Sequence, residues 1–205
     1  MKKVLILDGS YHEAGDSAFL IDRFAAGFRE ADRDAQIEIV HLRDLRIEYC
    51  RGCWVCGNPE NIGQPIGDCP IEDDVRPLLE KSLASDVLVY ATPVYEMGPT
   101  ALLKKFLERN LPVVGGIGVA GFKGRQPARK GKSGAVILSS GAPYPINILL
   151  GFTRYPKRIL SLFCRFFGSD RTFLLPAGGI GGSEKLRLSW GNKAYKLGKR
   201  LAMDG

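Results

Sequence analysis

Apolar residues follow two rhythms along this chain. Short continuous runs alternate with stretches in which they recur every three or four positions. The run VLIL at 4–7 has no polar interruption, the pattern of a strand buried on both faces. Phe19, Leu20, Phe24 and Phe28 then recur at helical spacing and predict a helix over 17–31, with Asp16 or Ser17 as its cap. Further strands are predicted at 36–42, 86–91, 134–138 and 172–175. Further helices are predicted at 73–83, 99–111, 146–167 and 183–203. Pro156 is expected to interrupt the helix over 146–167, and Ser183 to cap the last one. Residues 43–70 read as irregular, and 112–132 as a Gly-rich basic connection.

Strands separated by helices pair in parallel through right-handed crossovers, so five such units predict an α/β fold with a doubly wound sheet. Ligand loops in such sheets lie at the carboxyl ends of the strands. The 205 residues suit one domain, 1–205, with 43–72 as a cysteine-rich insertion. A hydrophobic share of 45% is ordinary for a globular protein, and no apolar run is long enough to cross a bilayer. Asp8 and Gly9 end the first apolar run too early for a signal peptide, so the chain is read as cytoplasmic.

Three loops that follow strands carry candidate chemistry. The first, DGSYHEAGDS at 8–17, leads straight into a helix. A helix N-terminus presents unpaired N–H groups and partial positive charge, which suit a phosphate. Ser10 and Ser17 offer hydroxyls, His12 a donor, and Gly9 and Gly15 close backbone approach. The Asp16 carboxylate would repel a phosphate and is expected to point away. Neither GxxxxGK[ST] nor GxGxxG is present, which argues against an NTPase and a standard dinucleotide-binding dehydrogenase. The second loop is TPVY at 92–95, and the third is SSGAPY at 139–144, where Gly141 allows close approach and Tyr144 offers a ring.

These motifs resemble those of the NADPH-dependent FMN reductase and iron–sulfur flavoprotein branch of the flavodoxin-like superfamily. Gly9, Ser10 and Ser17 match its first loop; Thr92, Pro93, Val94 and Tyr95 match its second. Gly98, Pro99, Leu103, Lys104, Phe106 and Arg109 match the helix that follows. The likeness covers about the first 140 residues. It implies a three-layer flavodoxin-like fold with strand order 2-1-3-4-5 and bound FMN. Ser10, His12, Gly15, Asp16 and Ser17 would then lie at the phosphate. Thr92, Pro93, Val94, Tyr95, Ser139, Ser140 and Gly141 would lie along the ring, whose flat faces need apolar contact and whose edges need donors.

Four of the five cysteines fall within twenty residues: Cys50, Cys53, Cys56 and Cys69. C-x-x-C-x-x-C followed by Cys-Pro is a thiolate pattern for an iron–sulfur cluster. A structural zinc site, a redox-active dithiol and free thiols are the alternatives. In the resembling family a similar segment before an Asp pair holds a [4Fe–4S] cluster, with a shorter last spacing. Cys164 reads as a small buried hydrophobe.

The resemblance implies an oxidoreductase that moves electrons from NAD(P)H or a protein donor to flavin, a quinone or another acceptor. No side chain need act as general acid or base, since the flavin carries the chemistry. The alternative is a non-enzymatic iron–sulfur flavoprotein, although flavodoxin shuttles are usually acidic and this chain has a net charge of +7. The densest basic stretch, 123–132, holds five Lys or Arg and no acid, and reads as a solvated loop. No nucleic-acid-binding pattern is present. The apolar residues of 146–167 are too many for one helix on a sheet and point to a homodimer or homotetramer interface. Arg154, Lys157, Arg158 and Arg165 lie among them, but a membrane is not expected as a partner.

Overall fold

A computed structural model describes residues 1–61, 64–115 and 130–204. Five strands form one parallel sheet: β1 (Lys3–Asp8), β2 (Gln36–His41), β3 (Val87–Tyr95), β5 (Lys132–Ser140) and β6 (Ser169–Gly178). Their order is β2-β1-β3-β5-β6, which is 2-1-3-4-5 once the parallel strands alone are numbered. The two-residue β4 (Gly98–Pro99) pairs antiparallel with the end of β3 and was not foreseen. The helices are α1 (Asp16–Ala31), α2 (Val75–Ala84), α3 (Ala101–Glu108), α4 (Leu111–Val114), α5 (Ile146–Leu149), α6 (Arg154–Phe166) and α7 (Glu184–Met203).

The VLIL run explains the layers. Side chains alternate across a strand, so Val4 and Ile6 enter one core while Leu5 and Leu7 enter the other. The first core packs α1 and α7 on the sheet through Phe24, Phe28, Trp190 and Leu201. The second packs α2, α3 and α6 through Leu79, Phe106, Leu160 and Phe167. α1 and α7 touch at backbone distance: a Cβ on Gly27 would stand 2.0 Å from the Tyr195 carbonyl oxygen, and one on Gly198 would stand 2.1 Å from that of Phe24.

Three sequence expectations are corrected. TPVY is not loop: Thr92–Tyr95 prolong β3. The stretch 146–167 is broken at Gly151, whose φ is +79°, and not at Pro156. Pro156 sits in the first turn of α6, where its missing N–H would have had no helical acceptor. The N-cap of α1 is Gly15, with no side-chain cap bond from Asp16 or Ser17. Ser183 does cap α7, accepting from Leu186 N at 3.2 Å. Much of the connection 112–132, including the basic residues 123–129, lies outside the described residues.

Candidate functional site

Asp8 closes β1 with a fully buried carboxylate, and the register that sets it opposite His41 supplies its partners. His41 Nδ1 donates to it at 2.8 Å and Arg43 Nη1 at 3.1 Å. Its other oxygen accepts from Ser10 N at 2.9 Å. A buried charge needs such partners, and here they also fix the turn of the first loop. Arg43 adds a bond to Ser10 O at 3.4 Å, and Ser10 Oγ accepts from His12 N at 3.1 Å. The first helical bond of α1 runs from Phe19 N to Gly15 O, so the amides of Asp16, Ser17 and Ala18 fall in the unpaired first turn. The Asp16 carboxylate is drawn 3.6 Å from Arg187 of α7, which offsets its charge at that end. Ser17 Oγ is hydrogen-bonded to Ser139 Oγ at 2.9 Å and ties α1 to the end of β5.

At the end of β3 the chain reverses in a two-residue turn to β4. Glu96 and Met97 there have φ of 45° and 61°, left-handed values rare outside Gly and Asn. Such backbone is held only where its surroundings over-determine it. Thr92 is buried behind this hairpin: its Oγ1 donates to Pro93 O at 2.9 Å and accepts from Thr100 N at 3.3 Å. Thr100 in turn donates to Gly9 O at 2.6 Å and caps α3 through Leu103 N. Thr92 and Thr100 therefore brace the first and second loops against each other.

These loops enclose a cleft of about 320 Å³ at the carboxyl ends of the strands, beside the β1/β3 switch in strand order. Ser10, His12, Gly15, Asp16 and Ser17 line it from the first loop. Pro93, Val94 and Tyr95 line it from the second, and Ser139, Ser140 and Gly141 from the third. Thr92 stands behind the wall, and Tyr144 packs edge-on against Trp190 with centroids 5.5 Å apart. Sequence reading missed Ile180 and Gly181, which close the cleft after β6. The glycine run at 178–182 was their signal. The lining suits a flat phosphorylated ligand: it offers hydroxyls and first-turn amides, a Pro-Val-Tyr strip and the bare Gly141.

The cysteine segment winds through left-handed residues at Gly52 (φ 63°) and Trp54 (φ 60°), one inside each C-x-x-C turn. No disulfide joins any of the five cysteines. The Cys56 thiol is pushed above its ordinary pKa by burial, and further by the charges that Cys69, Cys50 and Cys53 would carry. Cys69, Cys50 and Cys53 therefore each lie within electrostatic reach of Cys56. Among the described residues, no three His, Cys, Asp or Glu side chains form a single-ion site. Four thiolates are a donor set that suits an iron–sulfur centre or a structural zinc ion alike.

Arg109, 3% exposed, anchors this segment. It pairs with both oxygens of Asp73 and donates to Glu48 O at 2.9 Å and to Cys69 Sγ at 3.6 Å. Burial alone would raise the Asp73 pKa. The Arg109 guanidinium and the amides of Glu48 and Val75 outweigh it and hold the carboxyl below the usual range. Arg109 is the C-cap of α3, and Thr100 is its N-cap. The eight residues of α3, nine steps or about 13.5 Å from cap to cap at 1.5 Å each, thus separate the brace of the first loop from the cysteine anchor.

Residues 2–144 match the NADPH-dependent FMN reductase family. An iron–sulfur flavoprotein of Archaeoglobus fulgidus is 31% identical over 162 residues, covering 78% of this chain and 62% of that protein. An FMN-dependent NADH:quinone oxidoreductase of Hydrogenovibrio crunogenus is 31% identical over 129 residues, 62% of this chain and 59% of that one. The chain spans 62%, 48% and 53% of three iron–sulfur flavoproteins it matches. Among solved structures, an NAD(P)H:quinone oxidoreductase from Methanothermobacter marburgensis superposes with a TM-score of 0.75 at 19% identity, covering 98% of this chain and 96% of that one. That likeness establishes the fold.

Proposed function

The chain belongs to the NADPH-dependent FMN reductase family, and from that we propose that it is an FMN-dependent oxidoreductase. It takes electrons from NAD(P)H or a protein donor and passes them to flavin, a quinone or another acceptor. The observation that carries this reading is the single cleft lined by residues from the three loops picked out in the sequence. FMN supplies the hydride and one-electron chemistry when bound.

The chain's own residues hold and orient it. Ser10, Ser17 and the first-turn amides of α1 take the phosphate, with no Lys or Arg lining it among the described residues. Gly15 admits the phosphate to the backbone, and His12, exposed at the mouth, adds a donor. Asp16 lines the cleft, and Arg187, 3.6 Å away, offsets its charge there. Pro93, Val94 and Tyr95 give the ring a rigid wall, braced from behind by Thr92. Ser139, Ser140 and Gly141 form the facing side.

The test is the absorbance of freshly purified protein and its titration with FMN, followed by NADH or NADPH oxidation with a quinone. A yellow, FMN-containing protein that oxidises a nicotinamide is the expected result. A colourless protein that takes up no FMN refutes the reading.

A second reading is a non-enzymatic electron carrier holding FMN and a [4Fe–4S] cluster on Cys50, Cys53, Cys56 and Cys69. The mutual charge effects on Cys56 and the Arg109–Cys69 contact support it. Iron and sulfide analysis after anaerobic purification decides it, with stoichiometric iron expected and metal-free protein counting against it.

The same reading takes residues 1–205 as one domain with 43–72 as an insertion, and places the chain in the cytoplasm, where cysteines without disulfides persist. No described helix is long and apolar enough to cross a membrane. Homodimers or homotetramers are supported by the exposed aliphatic α5, where Leu149 is 78% exposed. Light scattering showing a strict monomer would remove the assembly.

A further inference from the structure

A groove of about 700 Å³ runs along α6 toward the edge strand β6, apart from the cleft. Its apolar part is Ile148, Leu162 and Leu174. Arg154, Lys157, Arg158 and Arg165 also line it, and no acid does. All four cations are exposed, and among the described residues none is paired with a carboxylate. Along the sequence, residues 109–169 hold ten Lys or Arg and no Asp or Glu.

Arg154, Arg158 and Arg165 stand at i, i+4 and i+11, a stripe along one helix face with Lys157 beside it. The stripe is about 16 Å long at 1.5 Å per residue. That is too long for one phosphate and suits a row of anionic groups. The inward face of α6, with Pro156, Leu160 and Cys164, is buried on the sheet, so the cationic face is turned outward. Isologous pairing of two copies along α6 would set like-charged stripes against each other, so a homo-oligomer interface in 146–167 is confined to α5 and leaves α6 outside it. A nucleic-acid groove would interleave cations with stacking rings, whereas this one is aliphatic.

We propose that this face docks the protein on an anionic phospholipid surface. The stripe meets headgroup phosphates, and Leu162 and its aliphatic neighbours reach the boundary with the acyl chains. Cations beside aliphatics on one outward helix face are the elements of interfacial binding. This departs from the expectation drawn from the sequence that a membrane is no partner. It does not depend on the flavin reading.

The experiment is co-sedimentation of the intact protein with vesicles of phosphatidylglycerol and phosphatidylcholine, against phosphatidylcholine alone, at low and high salt. Binding only to the anionic vesicles, weakened by salt, is expected. Each Lys or Arg near such a surface strengthens partitioning roughly fivefold. The R158Q/R165Q variant should therefore bind about 25-fold more weakly, and L162S several-fold more weakly, while flavin content and melting temperature stay those of the wild type. Should R158Q/R165Q fail to fold, R154Q/K157Q tests the other half of the stripe. Equal binding to both vesicles, binding to neither, or unchanged binding of the variant overturns the proposal. So does retention on double-stranded DNA or on an acidic protein by a chain that ignores anionic vesicles.

Discussion

Replacing Thr100 by Val tests the brace that joins the two ligand loops. Thr100 is fully buried, and its Oγ1 makes two bonds: it donates to Gly9 O at 2.6 Å and accepts from Leu103 N at 3.2 Å. Valine keeps the volume and loses both. Removing a Thr N-cap costs about 1 kcal/mol. A buried carbonyl left without a donor adds about 1–3 kcal/mol. The sum, about 2–4 kcal/mol, corresponds to a melting temperature lower by roughly 5–15 °C for a domain of this size.

The loss is local to the first loop, so ligand binding should suffer as well. If about 1 kcal/mol of it appears as disorder of Gly9 and Ser10, the Kd for FMN rises about fivefold. The assays are thermal melting by circular dichroism and quenching of flavin fluorescence. Thr100→Ser restores the hydroxyl and should recover most of both quantities. The reasoning fails if T100V melts with the wild type, or if T100S falls as far as T100V. In the latter case the methyl packing, and not the hydroxyl, holds the loops.

Three further outcomes are expected. The Asp73 carboxyl titrates below its unfolded value, so its stabilisation is present above about pH 4 and is lost as pH falls through the lowered folded pKa; acid titration of the melting temperature should show this fall, and D73N should flatten it. Gly27→Ala places a Cβ 2.0 Å from the Tyr195 carbonyl and must separate α1 from α7, so melting should show a loss of at least about 1–3 kcal/mol. Timed alkylation read by mass spectrometry should label exposed Cys53 first and Cys164 last, because burial pushes the Cys164 thiol up to about 12.

The parallel strands were legible because apolar β-rich runs stood between helical patterns; their order was implied by the family resemblance rather than by the runs. The cleft lining was legible because it is built from contiguous motifs after strands. What escaped depends on distant partners or on unmarked backbone. Asp8 looked like the end of an apolar run; its partners His41 and Arg43 arrive only through the β1–β2 register. The turn at Glu96 and Met97 carries neither the Gly nor the Asn that usually marks left-handed residues. The break at Gly151 was hidden by a nearby proline, which a first turn tolerates better than an interior.

The placement of α3 bears on how the two readings of function relate. Its N-cap hydroxyl holds the first loop at Gly9, and its C-cap guanidinium holds Asp73, Glu48 and Cys69. One rigid helix thus fixes the cysteine segment relative to the cleft, with no flexible linker in that path. Leu103 and Phe106, fully buried between these ends, lock its position against the sheet. Electron carriers need constant separation between their centres, whereas a reductase served directly by NAD(P)H needs only the cleft. A buried arginine with an Asp partner could hold the segment for stability alone. Its extra contact to Cys69 Sγ is the feature that a purely structural anchor does not require.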